Sequence, residues 1–190
     1  RMLAMAAARL GLTCHIYSDA TGPAFDVAAK TTVGSYDDLD AVRNFAKSVD
    51  VITYEFENVP LCAVAAAAET TPVRPGPKAL EIAQDRLVEK RFLASLDLPV
   101  APFAEVSSKS DLVAGLQTIG TPAILKTTRL GYDGKGQVRL HDEQDPTWAL
   151  EAIDHAPAVL EGVIEFDYEV SVLAVRGNNG DCRFYDLPLN

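Results

Sequence analysis

From Arg1 to Arg74 short apolar or β-branched runs alternate with helical stretches rich in alanine and leucine. Arg1 to Leu10 reads as a helix closed by Gly11, since glycine accepts the left-handed conformation that ends helices. Thr13 to Tyr17 reads as a strand, because β-branched and aromatic side chains suit the extended chain. Ala28 to Val33 contains another. Ser35 can cap a helix from Asp37 to Val49, with acids in its first turn, where the helix dipole favours them. Val51 to Tyr54 is a further strand, Pro60 can open a helix over Leu61 to Ala68, and Val73-Arg74 is a last short strand. This alternation predicts a parallel sheet with helices on both faces.

The pattern changes at Pro75 and Pro77. Lys78 to Gln84 and Arg86 to Leu96 read as two helices with Asp85 as the cap between them. Ala104 to Val106 is a strand, and Ser108 caps a helix to Ile119. Gly120-Thr121-Pro122 turns the chain into a strand that ends near Lys126, and Val138 to Leu140 returns. Asp145 and Pro146 open a helix to Ile153. Ala158 to Glu161 is a strand that continues as a linker through Gly162, Val163 and Ile164. Phe166 to Val175 alternates polar and apolar residues and reads as a strand. Asn178-Asn179-Gly180-Asp181 supplies hairpin turn chemistry before Arg183 to Leu187. The expected fold class is α/β: a Rossmann-like parallel sheet over 1–76, then an α+β unit with antiparallel hairpins over 77–190.

The chemistry concentrates in the loop Lys126 to Gln137, with its run Gly131-Tyr132-Asp133-Gly134-Lys135-Gly136-Gln137. Glycines let backbone N–H groups approach a ligand, and successive N–H groups form an anion-binding nest. Lys126, Arg129 and Lys135 add positive charge. The loop is not a Walker A motif, which needs Gly-Lys-Ser/Thr and a following helix. It is not the dinucleotide fingerprint either, since no helix opens on its last glycine. A solvated glycine hairpin is the plain alternative. Glu57 and Asn58 lie just beyond the end of a strand, where α/β sheets bind ligands; they could equally cap the next helix. Asp19 could hold a ribose or be a loop residue.

The chain has 190 residues, 48% of them hydrophobic, and a formal net charge of −10. That charge argues against nucleic-acid binding, which relies on neutralising phosphates. The basic loop is therefore a local exception and favours a small anionic ligand. Cys14, Cys62 and Cys182 show no metal or redox spacing and read as buried, reduced thiols. His15, His141 and His155 are scattered. No apolar run reaches the length of a membrane span, and no signal peptide is visible. A reducing cytoplasm fits. Both ends look cut, so the sequence reads as a fragment of a longer protein.

Thr53-Tyr54-Glu55-Phe56-Glu57-Asn58-Val59, Asp85-Arg86, the run Lys126 to Gln137, and Glu161 through Glu169-Val170-Ser171 together resemble the ATP-grasp family over essentially the whole chain. Within it they look like the ligases that carboxylate 5-aminoimidazole ribonucleotide in purine biosynthesis. The formate-dependent glycinamide ribonucleotide transformylase of the same family has Ser-Ser-Gly-Lys-Gly-Gln in the loop, so Tyr132-Asp133 separates the two. The resemblance implies a pre-ATP-grasp domain followed by an incomplete ATP-grasp domain. It implies a homodimer whose substrates are ATP, bicarbonate and 5-aminoimidazole ribonucleotide, with carboxyphosphate as intermediate and Mg²⁺ bound by residues beyond 190. It further implies that Arg86 and Lys126 contact ATP phosphates while Gly131, Gly134, Lys135, Gly136 and Gln137 close over them. Glu161 would accept from the adenine amine, with backbone groups at Gly162, Val163 and Ile164 reading the ring edge, and Glu169 would hold the ribose. Tyr132 and Asp133 would face the imidazole substrate, with Glu57 and Asn58 nearby. The 190 residues alone would not turn over. A nicotinamide-dependent oxidoreductase, suggested by Asp19, and a non-catalytic nucleotide-binding module are the other readings.

Overall fold

Side-chain caps set several of the helix boundaries in the computed structural model, which describes residues 1–131, 134–141 and 145–190. The first unit holds α1 (Met2–Arg9), β1 (His15–Ser18), β2 (Lys30–Val33), α2 (Leu39–Ala46) and α3 (Leu61–Ala68). Gly11 closes α1 at φ +74°. Asp38 rather than Ser35 caps α2: its carboxylate accepts from the Ala41 N–H at 2.9 Å, while the Ser35 hydroxyl accepts from Asp37 N–H outside the helix. Asp38 directly precedes the first helical residue, which is where a cap must stand.

β1 and β2 pair in parallel, with His15 opposite Lys30 and Ser18 opposite Val33. The expected strand at Val51–Tyr54 is reduced to one parallel bridge, Ile52 to Val73, because only Ile52 finds backbone partners there. Among the described residues no ladder joins this bridge to β1. Both pieces nevertheless share one core. Tyr17 and Ile52 pack with Val42, Ala46, Ala63, Val64 and Val73. The alanines of α3 let it lie close against α2, which is why an alanine-rich helix can bury one face completely enough to hold.

The second unit holds α4 (Pro77–Ala83), α5 (Arg86–Ser95), β3 (Phe103–Val106), α6 (Lys109–Ile119), β4 (Ala123–Thr127), β5 (Gln137–Leu140), α7 (Thr147–Glu151), β6 (Ala158–Gly162), β7 (Ala174–Arg176) and β8 (Cys182–Phe184). Asp85 caps α5 through the N–H groups of Leu87 and Val88, and Ser108 caps α6 through Asp111 N–H at 3.2 Å. A four-stranded antiparallel sheet runs in the order β3-β6-β4-β5. Alternation splits its side chains between two faces. Ala123, Leu125, Leu140, Ala158 and Leu160 join Leu112 of α6 and Leu150 of α7 in a fully apolar core. The opposite face carries Glu161, Ile124, Lys126 and Arg139, with α5 beside it.

Phe166 to Val175 is not one strand. Its backbone pairs at Val170 with Leu189 and again only from Ala174, where β7 meets β8 around Gly180 at φ +89°. The alternating pattern there finds no long partner strand among the described residues, and its apolar side chains, Phe166 and Val172 among them, are exposed. The cysteines also differ from expectation. Cys62 and Cys182 are exposed and Cys14 is half-buried, all free. Cys62 lies on α3 away from the buried Ala63, Val64, Ala66 and Ala67. No helix among the described residues is long and apolar enough to cross a membrane.

His15 ties β1 to β2 and α2. Its Nε2 lies 2.8 Å from Thr32 Oγ1, its Nδ1 3.2 Å from Ser48 Oγ, and its ring packs edge-on against Phe45. The Ser48 hydroxyl donates to Phe45 O, so it accepts from His15 Nδ1–H, and Nε2 accepts from Thr32. Burial first, and Lys30 second, push the His15 pKa down. The neutral ring is thus favoured by folding. The unfolded chain takes its proton near pH ~6.5. The contribution of His15 is therefore fully present above that pH and is lost as pH falls towards the folded value. The expected result is an imidazole NMR titration midpoint for His15 below ~6.5, and an acid-side loss of stability that His15→Gln flattens. An unshifted midpoint would contradict this.

Candidate functional site

The register of β4 against β6 builds the site. Ile124 stands opposite Glu161 and Lys126 opposite Val159, so Lys126 and Glu161 are diagonal neighbours on the face away from the core. Diagonal Cβ atoms in a sheet lie about 7–8 Å apart, within reach of long side chains. Lys126 Nζ donates to Glu161 Oε2 at 2.8 Å. Phe103 on β3 and Arg139 on β5 extend the same row on either side. From α5, Lys90 Nζ reaches the other oxygen, Glu161 Oε1, at 3.2 Å and lies over the Phe103 ring. Glu161, only 8% exposed, is thus one carboxylate held between two ammonium groups.

Sequence reasoning missed Lys90, which looks like a solvated lysine on a charged helix. One signal was present: Lys90 lies four residues after Arg86, on the same side of α5.

The Lys126–Glu161 pair opens onto a cleft of about 530 Å³ whose lining includes Ala101, Ile124, Arg139, Ile164 and Phe166. The linker after β6 is fixed by backbone bonds, Gly162 N–H to Pro102 O and Val163 N–H to Pro122 O. The next amide, Ile164 N–H, has no hydrogen-bond partner among the described residues. Apolar walls, an open peptide edge, a carboxylate acceptor and a lysine together suit a flat heteroaromatic amine joined to an anion.

The glycine loop is anchored at both legs. Arg86 donates from Nη1 to Thr127 O at 2.7 Å and from Nη2 to Gly131 O at 3.2 Å. On the other leg Thr127 N–H donates to Gly136 O at 2.8 Å. A Cβ on Gly131 would meet the Arg86 guanidinium at 2.5 Å, and one on Gly136, at φ +65°, would meet Thr127 Oγ1 at 2.6 Å. Gly136 is thus held to glycine by its positive φ as well as by Thr127, whereas a side chain at Gly131 would have to displace the Arg86 guanidinium. Gly134 also has positive φ, and Lys135 follows it. Gln137 begins β5 opposite Lys126. Tyr132 and Asp133 lie outside the described residues.

A second cavity of about 280 Å³ is lined by Glu57, Asn58, Gln84, Arg86, Arg129 and Gly131, among others. β4 leads from one cavity to the other, with Lys126 in the first and Arg129 in the second. Gln84, also missed in sequence, is a buried junction. Its Nε2 donates to Glu57 O and Val59 O, and its Oε1 accepts from Arg129 Nη2 at 3.0 Å. The structure therefore brings Lys126, Glu161, Gly162, Val163 and Ile164 together in one cleft, and Arg86, Glu57, Asn58 and Gly131 in another. Glu169 lines neither; it is exposed and accepts from Asn190 Nδ2 at 3.2 Å. Among the described residues no group of three or more His, Cys, Asp or Glu side chains is assembled for a metal.

The second unit is thus a mixed sheet-and-helix domain with a lysine–carboxylate cleft and a clamped glycine loop. The ATP-grasp domain matches residues 91–190, and the ribonucleotide synthetase preATP-grasp domain matches residues 1–84. The chain belongs to the ATP-grasp family. It is 50% identical over 193 residues to the N5-carboxyaminoimidazole ribonucleotide synthase of Brucella melitensis, covering 100% of this chain and 53% of that protein. The crystal structure of the N5-carboxyaminoimidazole ribonucleotide synthetase from Thermus thermophilus superposes with a TM-score of 0.89 at 41% identity, over 100% of this chain and 51% of that one. The Staphylococcus aureus synthetase complexed with ADP gives 0.93 at 34% identity, over 100% and 51%. The chain spans about half the length of the relatives it matches.

Arg86 is expected to matter for the loop before any ligand arrives. Arg86→Met leaves two carbonyls without their charged donor, a loss of about 1–3 kcal/mol. Thermal melts should fall, and amide exchange should accelerate at Gly131 and Gly136. Arg86→Lys should recover little, since one ammonium cannot reproduce the two-pronged guanidinium contact. Unchanged exchange in both variants would show that the legs are held by something else.

Proposed function

We propose that this chain is part of an ATP-dependent carbon–nitrogen ligase that carboxylates 5-aminoimidazole ribonucleotide with bicarbonate. The observation that carries the reading is the cleft in which Lys126, Glu161 and the open Ile164 N–H converge. The names of the relatives support the particular substrate. A bicarbonate oxygen attacks the γ-phosphorus, the bond to ADP breaks, and carboxyphosphate forms. The imidazole amine then bonds to its carbon, phosphate leaves, and the amine gives up a proton. Lys126 supplies a compact point charge to phosphoryl oxygens. Glu161, acceptor-only when ionised, accepts from the adenine amine, and Ile164 N–H donates to a ring nitrogen. Glu169 is assigned to the ribose, and Arg86 with Gly131, Gly134, Lys135, Gly136 and Gln137 to the phosphates. Asp133, with Tyr132 beside it, accepts from the substrate amine, and Glu57 and Asn58 contact the same substrate.

Mg²⁺, which shields phosphate charge in such reactions, is assigned no residue of this chain. The two units are read as residues 1–76 and 77–190, with Leu80 of α4 packing back into the first core. A cytoplasmic homodimer completes the reading.

The test uses the full-length protein with ATP, bicarbonate and 5-aminoimidazole ribonucleotide. Phosphate release should require both of the latter. Release driven instead by glycinamide ribonucleotide and formate would overturn the assignment. Lys126→Ala should raise the KM for ATP through lost charge-assisted contacts of roughly 1.5–3 kcal/mol; an unchanged ATP dependence counts against its role.

Asp133→Asn keeps the turn chemistry and removes the charge. A carboxylate a few ångströms from the triphosphate would cost on the order of 4 kcal/mol per charge pair, so Asp133 is assigned to the substrate amine and not to ATP. Carboxylation should fall sharply while ATP binding stays near normal. A defect confined to ATP binding would remove Asp133 from the substrate role.

A further inference from the structure

We infer that Lys90 is a positioning residue: it holds Glu161 when Lys126 leaves for a phosphate, and so lets one lysine serve the nucleotide. This rests on the nucleotide reading of the cleft.

Lys126 is already occupied, its Nζ 2.8 Å from Glu161 Oε2. Contact with a polyphosphate means loosening that pair. Glu161 is buried, and a buried carboxylate stripped of its partner is strongly destabilising. If Lys126 were its sole partner, phosphate binding would have to overcome that cost. Lys90 removes it. Its Nζ sits on the other oxygen, Oε1, at 3.2 Å, and its side chain is 14% exposed against 23% for Lys126. Lys126 lines the cleft and Lys90 does not.

Lys90 is also the better anchored of the two. It projects from α5, whose first residue donates its N–H to Thr128 O at the end of β4. Its ammonium lies 5.7 Å from the Phe103 ring centre, a cation–π contact that holds the charge without a competing anion. Among the described residues it pairs with no other carboxylate. Glu161 thus carries two cations on one anion, a locally positive cluster that attracts phosphate. With Lys126 moved to the phosphate, Lys90 and Glu161 remain as a neutral pair. Glu161 Oε2 is then free to accept an amine hydrogen from the base.

The experiment is a double-mutant cycle on the full-length protein, read as the KM for ATP and as kcat separately. Lys90→Met keeps the aliphatic stem beside Phe103 and removes the charge. Its KM should rise about tenfold, the scale of one charge-assisted hydrogen bond, with a smaller change in kcat. Lys90→Arg should recover most of that loss. On a Glu161→Gln background, where no carboxylate competes for Lys126, the same Lys90→Met change should add nothing to KM. An equal loss on both backgrounds would overturn the inference, as would an unchanged KM in Lys90→Met. Lys126→Met separates the two levels. If it raises KM and Lys90→Met does not, the inference fails alone; if Lys126→Met leaves ATP dependence intact, the nucleotide reading fails with it. Should Lys90→Met not fold, Lys90→Gln is read by the same criteria.

Discussion

The pairing of β4 with β6 is the constraint on which the cleft depends. Side chains alternate across a sheet, so a slip of one residue in β6 would carry Glu161 into the apolar layer and turn Leu160 towards the cleft, and the same slip in β4 would do so for Lys126 and Leu125. Burying either charge against α6 and α7 without its partner would be far costlier than the apolar burial is favourable. The hydrophobic core therefore specifies the position of the charges that line the cleft. Ala123, Leu125, Leu140, Ala158 and Leu160 fix the register, and Ile124, Lys126, Arg139 and Glu161 are placed on the other face as a consequence.

The same logic explains why α5 lies where it does. Its first backbone amide and the Arg86 guanidinium both attach to the end of β4 or the loop beyond. A helix pinned at its N-terminus in this way presents Lys90, one turn on, over Glu161. Gln84, just ahead of it, ties Arg129 to the Glu57–Val59 backbone. The segment 84–90 thus reaches β4, β6 and the first unit at once. Movement of that short segment would be felt in both cavities.

What was legible in the sequence was local. Asp85, Ser108 and Pro60 mark helix starts because capping and proline chemistry act within a turn. The strands Ala123–Thr127 and Ala158–Gly162 were legible because one face of each is apolar. The glycine loop was legible as a motif, and together with the segments at 53–59, 85–86 and 161–171 it carried the ATP-grasp resemblance. What no local reading can supply is that the Arg86 guanidinium and the Thr127 hydroxyl lie against Gly131 and Gly136. Phe166 to Val175 was misread for a related reason. Alternation marks a surface that could be half-buried, but a strand also needs a neighbour to pair with, and the neighbour is a tertiary fact. Ile52 shows the same limit, since β propensity at Val51–Tyr54 yields one bridge.

Lys90 and Gln84 were missed, as was the partner of Arg129, because each acts through a residue distant in the chain. A lysine on a helix surface and a glutamine at a helix end are ordinary residues until the fold brings them to a carboxylate and to two carbonyls. For Lys90 the distinction is electrostatic. An exposed lysine–glutamate pair contributes little, because water screens it and two flexible side chains must be ordered. A pair at 14% and 10% side-chain exposure is screened less and carries a desolvation cost that must be met by more than one contact. Glu161 meets it with two lysines and Lys90 adds the face of Phe103. A carboxylate so placed can surrender one partner and stay compensated, which a single buried ion pair cannot do.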